Sequence, residues 1–365
     1  MNQELLFQIA LTMIPNIGDV HRKLLITHFG DPGSVFKAKK RELELMEGIG
    51  VVRAKSIKDF SAFKDAEKEI TFIEKFRITP LFINEPSYPR RLLNCYDNPV
   101  LLYYRGTANL NSDKIIAIVG TRNNNEYGKN VCERFIEEIR HQNILVVSGL
   151  AFGIDSIAHR TALKHGLPTV GVLAHGLDRI YPAENKLLAK HMIESGGLLT
   201  DFRSGTNPDK QNFPKRNRIV AGISDAVVVI ETGLKGGSLI TAELANGYNK
   251  DVFAIPGRIS DPKNEGCNYL IKTNKASLIT SANDVLENMG WNDHKKNNLT
   301  KQRKLFIDLT GNEKIIDDIL QAGPTHIDEI FLRSGLSSSA VAAALLTLEM
   351  QNLVISLPGK IYELS

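Results

Sequence analysis

The sequence predicts an α/β protein built around a doubly wound, mostly parallel sheet, with a helical module before it and a winged helix after it. Three observations support this class. Between residues 111 and 290, short and wholly apolar segments such as Ile115–Val119 and Thr169–Leu173 alternate with amphipathic ones. Strands of this kind are buried on both faces, so helices must cover both sides of the sheet. Residues before 78 show only helical periodicity, and residues after 311 end in a predicted hairpin.

Length and composition exclude several classes of protein. The 365 residues, with 42% hydrophobic and 24% charged, suggest two to three folded domains. The net charge of +4 is too small to identify a nucleic-acid binder by itself. The three cysteines, Cys95, Cys132 and Cys267, lie far apart and have no zinc-site spacing. Neither a signal-peptide pattern nor an apolar run of membrane-spanning length is present, so we expect a soluble, cytoplasmic protein without a metal or cofactor.

Residues 1–77 are predicted to form a helical domain of the helix-hairpin-helix or SAM-like type. Two short turns, Pro15–Gly18 and Gly48–Gly50, separate helices that carry basic residues such as Arg22 and Arg53. The backbone amides of such turns can bind a phosphate. The alternative is a plain helical packing module, in which the glycines only allow tight turns.

Residues 78–110 are predicted to be an extended connector. Pro89 and Pro99 bias the residues before them away from helix, and Leu101–Tyr104 is predicted as a strand. Residues 111–290 follow as the Rossmann-like domain, in which nearly every predicted strand ends at a glycine. In such sheets ligands bind beyond the carboxyl ends of the strands.

Three glycine turns at these strand ends are candidates for anion binding. They are Gly120-Thr121-Arg122, Gly149–Asp155 and Gly236-Gly237-Ser238. Amide groups at a helix N-terminus favour an anion, and Arg122 adds a bidentate phosphate donor. The spacing is not the dinucleotide fingerprint, so a nicotinamide cofactor is not predicted. Each turn alone could reflect tight packing, but three on one sheet edge predict a groove.

The segment Asn212–Arg218 concentrates positive charge beside this edge. Residues 203–218 contain five basic residues and the single acid Asp209. A short helix is predicted over 219–224, with Lys215 and Arg218 on one face and Asn217 beside them. Phe213 could stack on a base. The alternative is a solvated basic loop with Phe213 in the core.

Candidates for catalysis are weaker, and no catalytic residue is predicted. Asp155 and His159 lie four apart on a predicted helix, which suits a metal or an acid–base pair, but no third ligand follows. Capping or surface roles are therefore expected for them. Glu231 and Glu243 are the acids near the glycine turns, and Glu243 either acts as a base toward a sugar or caps a helix.

The C-terminal part separates into a basic linker and an acidic domain. Residues 291–311 carry a net charge of +3, and residues 312–365 carry −4. The second stretch predicts a winged helix with a possible N-cap at Thr325 and a wing formed by Val354–Leu357 and Ile361–Leu364. Its third helix, opening at Ser337, has neither Lys nor Arg up to Asn352. Major-groove binding is therefore not expected, and a protein-contact or packing role is favoured.

These motifs, taken in order, resemble the DprA/Smf family of bacterial DNA-processing proteins. The resemblance covers the whole Rossmann-like region and the order of the flanking modules. The matching runs are Ile118–Arg122, Val147–Ala151 with Gly153–Asp155, Gly176–Asp178 with Tyr181-Pro182, Asn212–Ser224, Gly237–Ala242 and Ala254–Gly257.

The resemblance implies a protein that binds single-stranded DNA and loads the RecA recombinase onto it during natural transformation, as a dimer through the Rossmann-like domain. It places the DNA contacts on Arg122 of the Gly120-Thr121-Arg122 turn and on Phe213, Lys215, Asn217 and Arg218. Gly149 and the Gly237-Ser238 turn would line the same groove. Phe152 departs from the family, because many relatives carry Arg there.

Two other functions remain open from the sequence. The glycine turn at Gly236-Gly237-Ser238, followed by Thr241 and Glu243, is similar to the phosphate-binding turn of lysine-decarboxylase-like phosphoribohydrolases, which process nucleotides. Those enzymes usually lack the flanking domains and the basic segment Asn212–Arg218. The other possibility is an interaction scaffold whose DNA groove is vestigial.

Overall fold

The computed structural model describes residues 3–292, 309, 311–351, 353–357 and 360–364. It divides into two compact units, Met1–Asp293 and His294–Ser365, each of which is described by itself. Most of the predicted linker 291–311 lies outside the described residues.

Six helices form the N-terminal module of the first unit. They are α1 (Gln3–Met13), α2 (Asp19–Phe29), α3 (Pro32–Lys37), α4 (Lys40–Leu45), α5 (Gly50–Lys58) and α6 (Phe63–Phe76). The apolar residues of the two predicted turns, Ile17 and Ile49, are buried. The basic residues beside those turns bond internally: Arg22 donates to Asp19 and to the Thr12 carbonyl, and Arg53 donates to the Asn16 and Gly48 carbonyls. This arrangement favours the packing interpretation of the turns over phosphate binding.

A nine-stranded sheet forms the centre of the first unit. Its strands are β1 (Thr79–Phe82), β2 (Leu101–Gly106), β3 (Ile115–Gly120), β4 (Leu145–Ser148), β5 (Thr169–Val172), β6 (Gly196–Thr200), β7 (Ala226–Ile230), β8 (Asp251–Ala254) and β9 (Ser277–Leu278). The order is β1-β2-β6-β5-β4-β3-β7-β8-β9. From β6 to β9 all neighbours are parallel, whereas β1 and β2 join antiparallel at one edge. The predicted doubly wound, mostly parallel sheet is therefore confirmed.

The segment predicted as an extended connector, 78–110, contains the strand predicted at Leu101–Tyr104 and a second strand, β1, that was not predicted. Its two strands extend the sheet, because β2 pairs along β6 from Tyr103–Thr200 to Gly106–Gly197. Between them runs the short helix α7 (Arg90–Leu93). The N-terminal module, this segment and the Rossmann-like domain belong to one compact unit.

Helices cover both faces of the sheet. They are α8 (Glu126–Glu138), α9 (Ile154–Lys164), α10 (Lys186–Ser195), α11 (Asn212–Ile223), α12 (Gly237–Gly247), α13 (Glu265–Lys272) and α14 (Ala282–Asn288). The central strand β3 shows why two layers are needed. Ile115, Ala117 and Val119 join one buried cluster, whereas Ile116 and Ile118 join another on the opposite face.

The second unit is a winged helix. It contains α15 (Gly311–Leu320), β10 (Thr325–His326), α16 (Ile327–Ser334), α17 (Ser338–Met350), β11 (Val354–Leu357) and β12 (Ile361–Leu364). The predicted wing is observed, and Ser337 caps α17 by accepting from the Ala340 amide. Thr325 is not an N-cap as predicted, because it lies in β10 and His326 caps α16 instead. Among the described helices none is long and apolar enough to cross a membrane alone, although α16 and α17, bent by 115°, pass that test as a pair.

Candidate nucleic-acid interface

A groove of about 370 Å³ lies where the carboxyl ends of β3 and β4 meet the N-termini of α11 and α12. Three loops that are distant in sequence form its walls, as expected for the ligand side of a doubly wound sheet. Eight of the predicted contact residues line it: Gly120, Thr121, Arg122, Gly149, Phe213, Asn217, Gly237 and Ser238.

The glycine turn after β4 is held by close backbone contacts. Gly153 has a φ of +74°, and a Cβ there would lie 2.2 Å from the Thr121 carbonyl oxygen. The Ile154 amide donates to the same carbonyl at 3.2 Å. A Cβ on Gly149 would meet the Arg216 guanidinium at 2.4 Å. Both glycines are therefore required by packing, and that packing joins the two turns into one wall.

The helices α11 and α12 direct their N-termini at the groove. Gly237 and Ser238 lie in the first turn of α12, whose amides have no acceptor within the helix. Asn217 connects the two helices, because its Nδ2 donates to the Gly237 carbonyl at 3.3 Å. The Ser238 hydroxyl donates to Thr232 Oγ1 at 2.6 Å, so this residue offers the groove its amide rather than its hydroxyl.

Two exposed cations at the groove have neither a hydrogen-bond partner nor an ion-pair partner among the described residues. The Arg122 guanidinium and the Lys215 ammonium make no hydrogen bond or ion pair with any residue that the structure describes. Arg122 lies 4.8 Å from the centre of the Phe213 ring, a cation–π distance that holds the guanidinium beside an aromatic surface. Lys215 does not line the groove itself. It lies in the first turn of α11 between Pro214 and Arg216, and both of these residues line the groove.

A third cation, Arg216, is buried at the floor of the groove. It is 4% exposed and donates to the carbonyls of Gly149 and Val172. Burial, reinforced by neighbouring Arg122, lowers the pKa of Arg216 to about 10. Asp155 lies nearby and accepts from the Gly149 and Ala151 amides at 3.1 and 3.4 Å. The Asp155 carboxylate favours the charged form of Arg216, whereas burial and the neighbouring Arg122 guanidinium oppose it.

Arg218, which was predicted as a DNA contact, is not among the residues that line the groove, although it lies next to Lys215 on α11 and its Nε donates to the Lys215 carbonyl at 3.1 Å. Its Nη2 lies 2.8 Å from Asp19 of α2 and 2.7 Å from Asp201, and its Nη1 donates to the Asp97 carbonyl. Burial opposes its charge, but Asp201 and Asp19 raise the pKa of Arg218 above its ordinary value. Arg218 therefore fastens the N-terminal module to the sheet.

The helix carrying these residues begins earlier than predicted. The expected start was Ile219, whereas α11 begins at Asn212 and has Pro214 in its first turn. Proline is tolerated there because the amides of the first turn have no helical acceptor. Phe213 and Lys215 thus stand on a helix end, and neither lies in a loop.

The candidate acids do not form a catalytic site in the groove. Glu243 is more than half exposed at its side chain and pairs with Lys275 at 3.2 Å, and it does not line the groove. Glu231 is buried and accepts from the Asn125 amide at 3.1 Å. His159 is buried against Thr169, while Asp155 bonds the Gly149 turn. Of these four residues only Asp155 lines the groove, and its carboxylate accepts from the amides of the Gly149 turn.

The doubly wound, mostly parallel sheet, with a groove at the carboxyl ends of its strands, defines a protein of the Rossmann-like class. Residues 79–290 match the family described as DNA recombination-mediator protein A, and residues 307–360 match the DprA winged helix domain. The chain belongs to the DprA/Smf family.

Individual relatives agree with this assignment. Protein Smf of Synechocystis is 31% identical over 99% of both chains. The DNA processing protein DprA of Streptococcus pneumoniae is 41% identical over 58% of this chain and 75% of its own length.

Two solved structures resemble the fold. The X-ray structure of DNA processing protein A from Streptococcus pneumoniae has a TM-score of 0.66 at 31% identity, covering 77% of this chain and 97% of that one. A structure of DNA processing protein A from Helicobacter pylori, described by its single-stranded DNA binding mode, has a TM-score of 0.53 at 30% identity. It covers 59% of this chain and 96% of its own.

Proposed function

We propose that this protein binds single-stranded DNA without sequence specificity through the groove, and that it acts there as a binder rather than an enzyme. The observation that carries the proposal is the pair of exposed cations, Arg122 and Lys215, which have no hydrogen-bond or ion-pair partner among the described residues. Arg122 also lies 4.8 Å from the centre of the Phe213 ring. Cations bind the phosphates of any sequence, and an aromatic face stacks on any base. The Helicobacter pylori relative, whose structure concerns single-stranded DNA binding, supports the same use of the fold.

The composition of the groove favours phosphate and base contacts over sequence readout. Gly120, Gly149 and Gly237 present backbone to a ligand, and Asn217 already uses its amide to join two helices. Few side-chain groups remain to read base edges. Affinity should therefore fall steeply with salt and vary little with sequence.

The double variant Arg122→Ala, Lys215→Ala is expected to bind single strands roughly 10²–10⁴-fold more weakly, because each charged hydrogen bond contributes about 1.5–3 kcal/mol. The slope of log affinity against log salt should decrease by about 0.7 for each lost phosphate contact. Fluorescence anisotropy with labelled oligonucleotides over a salt series measures both quantities. The thermal midpoint should hardly change, because both side chains are exposed.

The matched control is Lys186→Ala, Lys190→Ala, which removes the same charge from the exposed side of α10. This control should show only the small, nonspecific decrease in affinity that follows from the lower net charge. Wild-type affinity in the Arg122→Ala, Lys215→Ala variant at equal salt would show that the strand binds elsewhere.

We further propose, on the family resemblance, that the bound strand is handed to the RecA recombinase and that two protomers pair through the Rossmann-like domain. Loading is expected to appear as faster RecA filament formation on a strand coated with single-strand-binding protein. Pairing is expected to appear as a dimer mass in sedimentation equilibrium. Unchanged filament kinetics with intact strand binding would limit the function to binding alone.

A further inference from the structure

Beside the groove lies a small cleft of about 20 Å³, and its rim includes three aromatic side chains, Phe152, Tyr181 and Phe213. We call these three residues the aromatic platform. Phe152 and Tyr181 are 42% and 45% exposed, so a large part of each ring faces solvent. Exposed aromatic rings grouped around one cleft usually mark a binding surface.

The platform is continuous with the groove. Arg122, Gly149 and Phe213 line both cavities. The Phe213 ring has Arg122 4.8 Å from its centre and the Tyr181 ring 6.1 Å from it, tilted by 55°. A strand whose phosphate contacts Arg122 therefore has an aromatic surface available for a neighbouring base.

Backbone bonds hold Tyr181 in place. Its amide donates to His175 Nε2 at 3.2 Å, so His175 must carry its proton on Nδ1, which donates to the Gly176 carbonyl at 2.9 Å. Burial lowers the pKa of His175, which keeps the ring neutral and able to accept. Tyr181 is thus positioned before any ligand arrives.

Phe152 is fixed from both sides. The Ala151 amide before it donates to Asp155, and the Ala151 carbonyl accepts from the Ser156 hydroxyl. Gly153 after it packs against the Thr121 carbonyl. The backbone at Phe152 therefore has little freedom, so the exposed ring is presented from a fixed position beside the groove.

We infer that Phe152 and Tyr181, together with Phe213, form a second nucleobase subsite that stacks bases next to the phosphate-binding groove. This inference rests on the proposed function and adds Phe152 and Tyr181 to the residues that contact the strand. The ligand is a base of the same single strand, because the apolar rings suit a base face and the adjoining groove takes the phosphate. Phe152 contributes base stacking at a turn where a cation would contribute a phosphate contact.

The test compares an oligothymidylate with an abasic oligonucleotide of equal length, measured by anisotropy at one salt concentration. Phe152→Ala and Tyr181→Ala should each bind the thymidylate roughly 5–50-fold more weakly and leave abasic affinity unchanged, as expected for loss of one stacked base. Tyr181→Phe should retain wild-type affinity, and Tyr181→Leu should lose it. Tyr96→Ala, which removes a ring that is 67% exposed and lies outside the cleft, is the control and should change neither affinity.

A charge swap provides a second readout. Phe152→Arg should bind the abasic strand more tightly than wild type and steepen the salt dependence by about 0.7, because a phosphate contact replaces a base contact. Thymidylate-to-abasic affinity ratios equal to wild type in Phe152→Ala and Tyr181→Ala would overturn the subsite while leaving the groove proposal intact. Failure of the wild type to bind either oligonucleotide would overturn both.

Discussion

Replacement of Arg218 with Met is expected to lower the free energy of unfolding of the first unit by about 3–5 kcal/mol. The side chains of Asp19 and Asp201 are only 16% and 11% exposed, and both carboxylates bond the same guanidinium. Without Arg218 two like charges remain close together and largely desolvated. Because Asp19 begins α2 and Asp201 follows β6, the loss should loosen the N-terminal module from the sheet. Urea unfolding followed by far-UV circular dichroism measures the change.

Lys275→Met is the control for this variant, since it breaks an exposed pair with Glu243 and should cost no more than about 1 kcal/mol. Adding Asp201→Asn to Arg218→Met should recover part of the lost stability, because the uncompensated charge of Asp201 is then gone, whereas Asp19 keeps its ion pair with Arg22 at 2.9 Å. A variant of normal stability with weakened strand binding would instead return Arg218 to the set of DNA contacts.

Substitutions at different residues of α11 are therefore expected to affect either the stability of the protein or its strand binding. Three basic residues lie within four consecutive positions of α11, yet their roles differ. Lys215 faces solvent, Arg216 supports the groove floor and Arg218 holds the N-terminal module. The sequence predicts a basic cluster here but not this division. Asp19 is 199 residues from Arg218 in the sequence, and no local sequence pattern predicts an ion pair over that separation.

The role of Arg216 had a detectable sequence signal. The buried residues of α11 are Asn212, Arg216 and Ile219–Ile223, which follow helical spacing. Extending the helix back through Pro214 would have placed Arg216 on the buried stripe. The helix start was predicted too late because proline and clustered charge were interpreted as loop, although both are compatible with a first turn.

Local patterns predicted the central parallel strands and the strand Leu101–Tyr104 of β2, but neither β1 nor β9. The segments Ile115–Val119 and Ala226–Ile230 were identifiable because burial on both faces leaves a continuous apolar run. The segment 78–110 was interpreted as a connector, since β2 pairs with β6 more than ninety residues later and its neighbouring prolines favour any extended backbone. Groove residues were predicted because strand ends meet at one edge in any doubly wound sheet, whereas the aromatic platform depends on loop packing.

Acid is expected to destabilise the first unit through His159, which lies on α9 beneath the groove. Its Nδ1 is 2.6 Å from Thr169 Oγ1, and that hydroxyl donates to the Val146 carbonyl, so Nδ1 carries the proton. Its Nε2 is buried without a hydrogen-bond partner among the described residues. Burial, with Arg216 and Arg160 nearby, lowers the pKa of His159 from 6.5 to about 3.

The pKa of His159 is lower in the folded protein than in the unfolded chain. Between these two pKa values the unfolded chain therefore binds a proton at His159 that the folded protein does not bind. Stability from this residue is fully present above pH 6.5 and falls by about 1.4 kcal/mol for each pH unit below it, until the folded pKa is reached. Between pH 6.5 and 4.5 the loss should be about 2–3 kcal/mol. His159→Leu removes the titration, so its unfolding free energy should decline less steeply with acid.

The two proteins are compared by the slope of their unfolding free energy against pH. A packing cost of the substitution that is the same at every pH does not alter this slope. His175 has a pKa lowered in the same direction by burial, but it is present in both proteins and cancels. Asp155, whose pKa burial raises, cancels likewise. Urea unfolding of wild type and His159→Leu at matched pH values from 7.5 to about 4.5 gives the two curves. Parallel curves would mean that His159 takes up its proton in the folded protein as readily as in the unfolded chain, and that the space beneath the groove admits water.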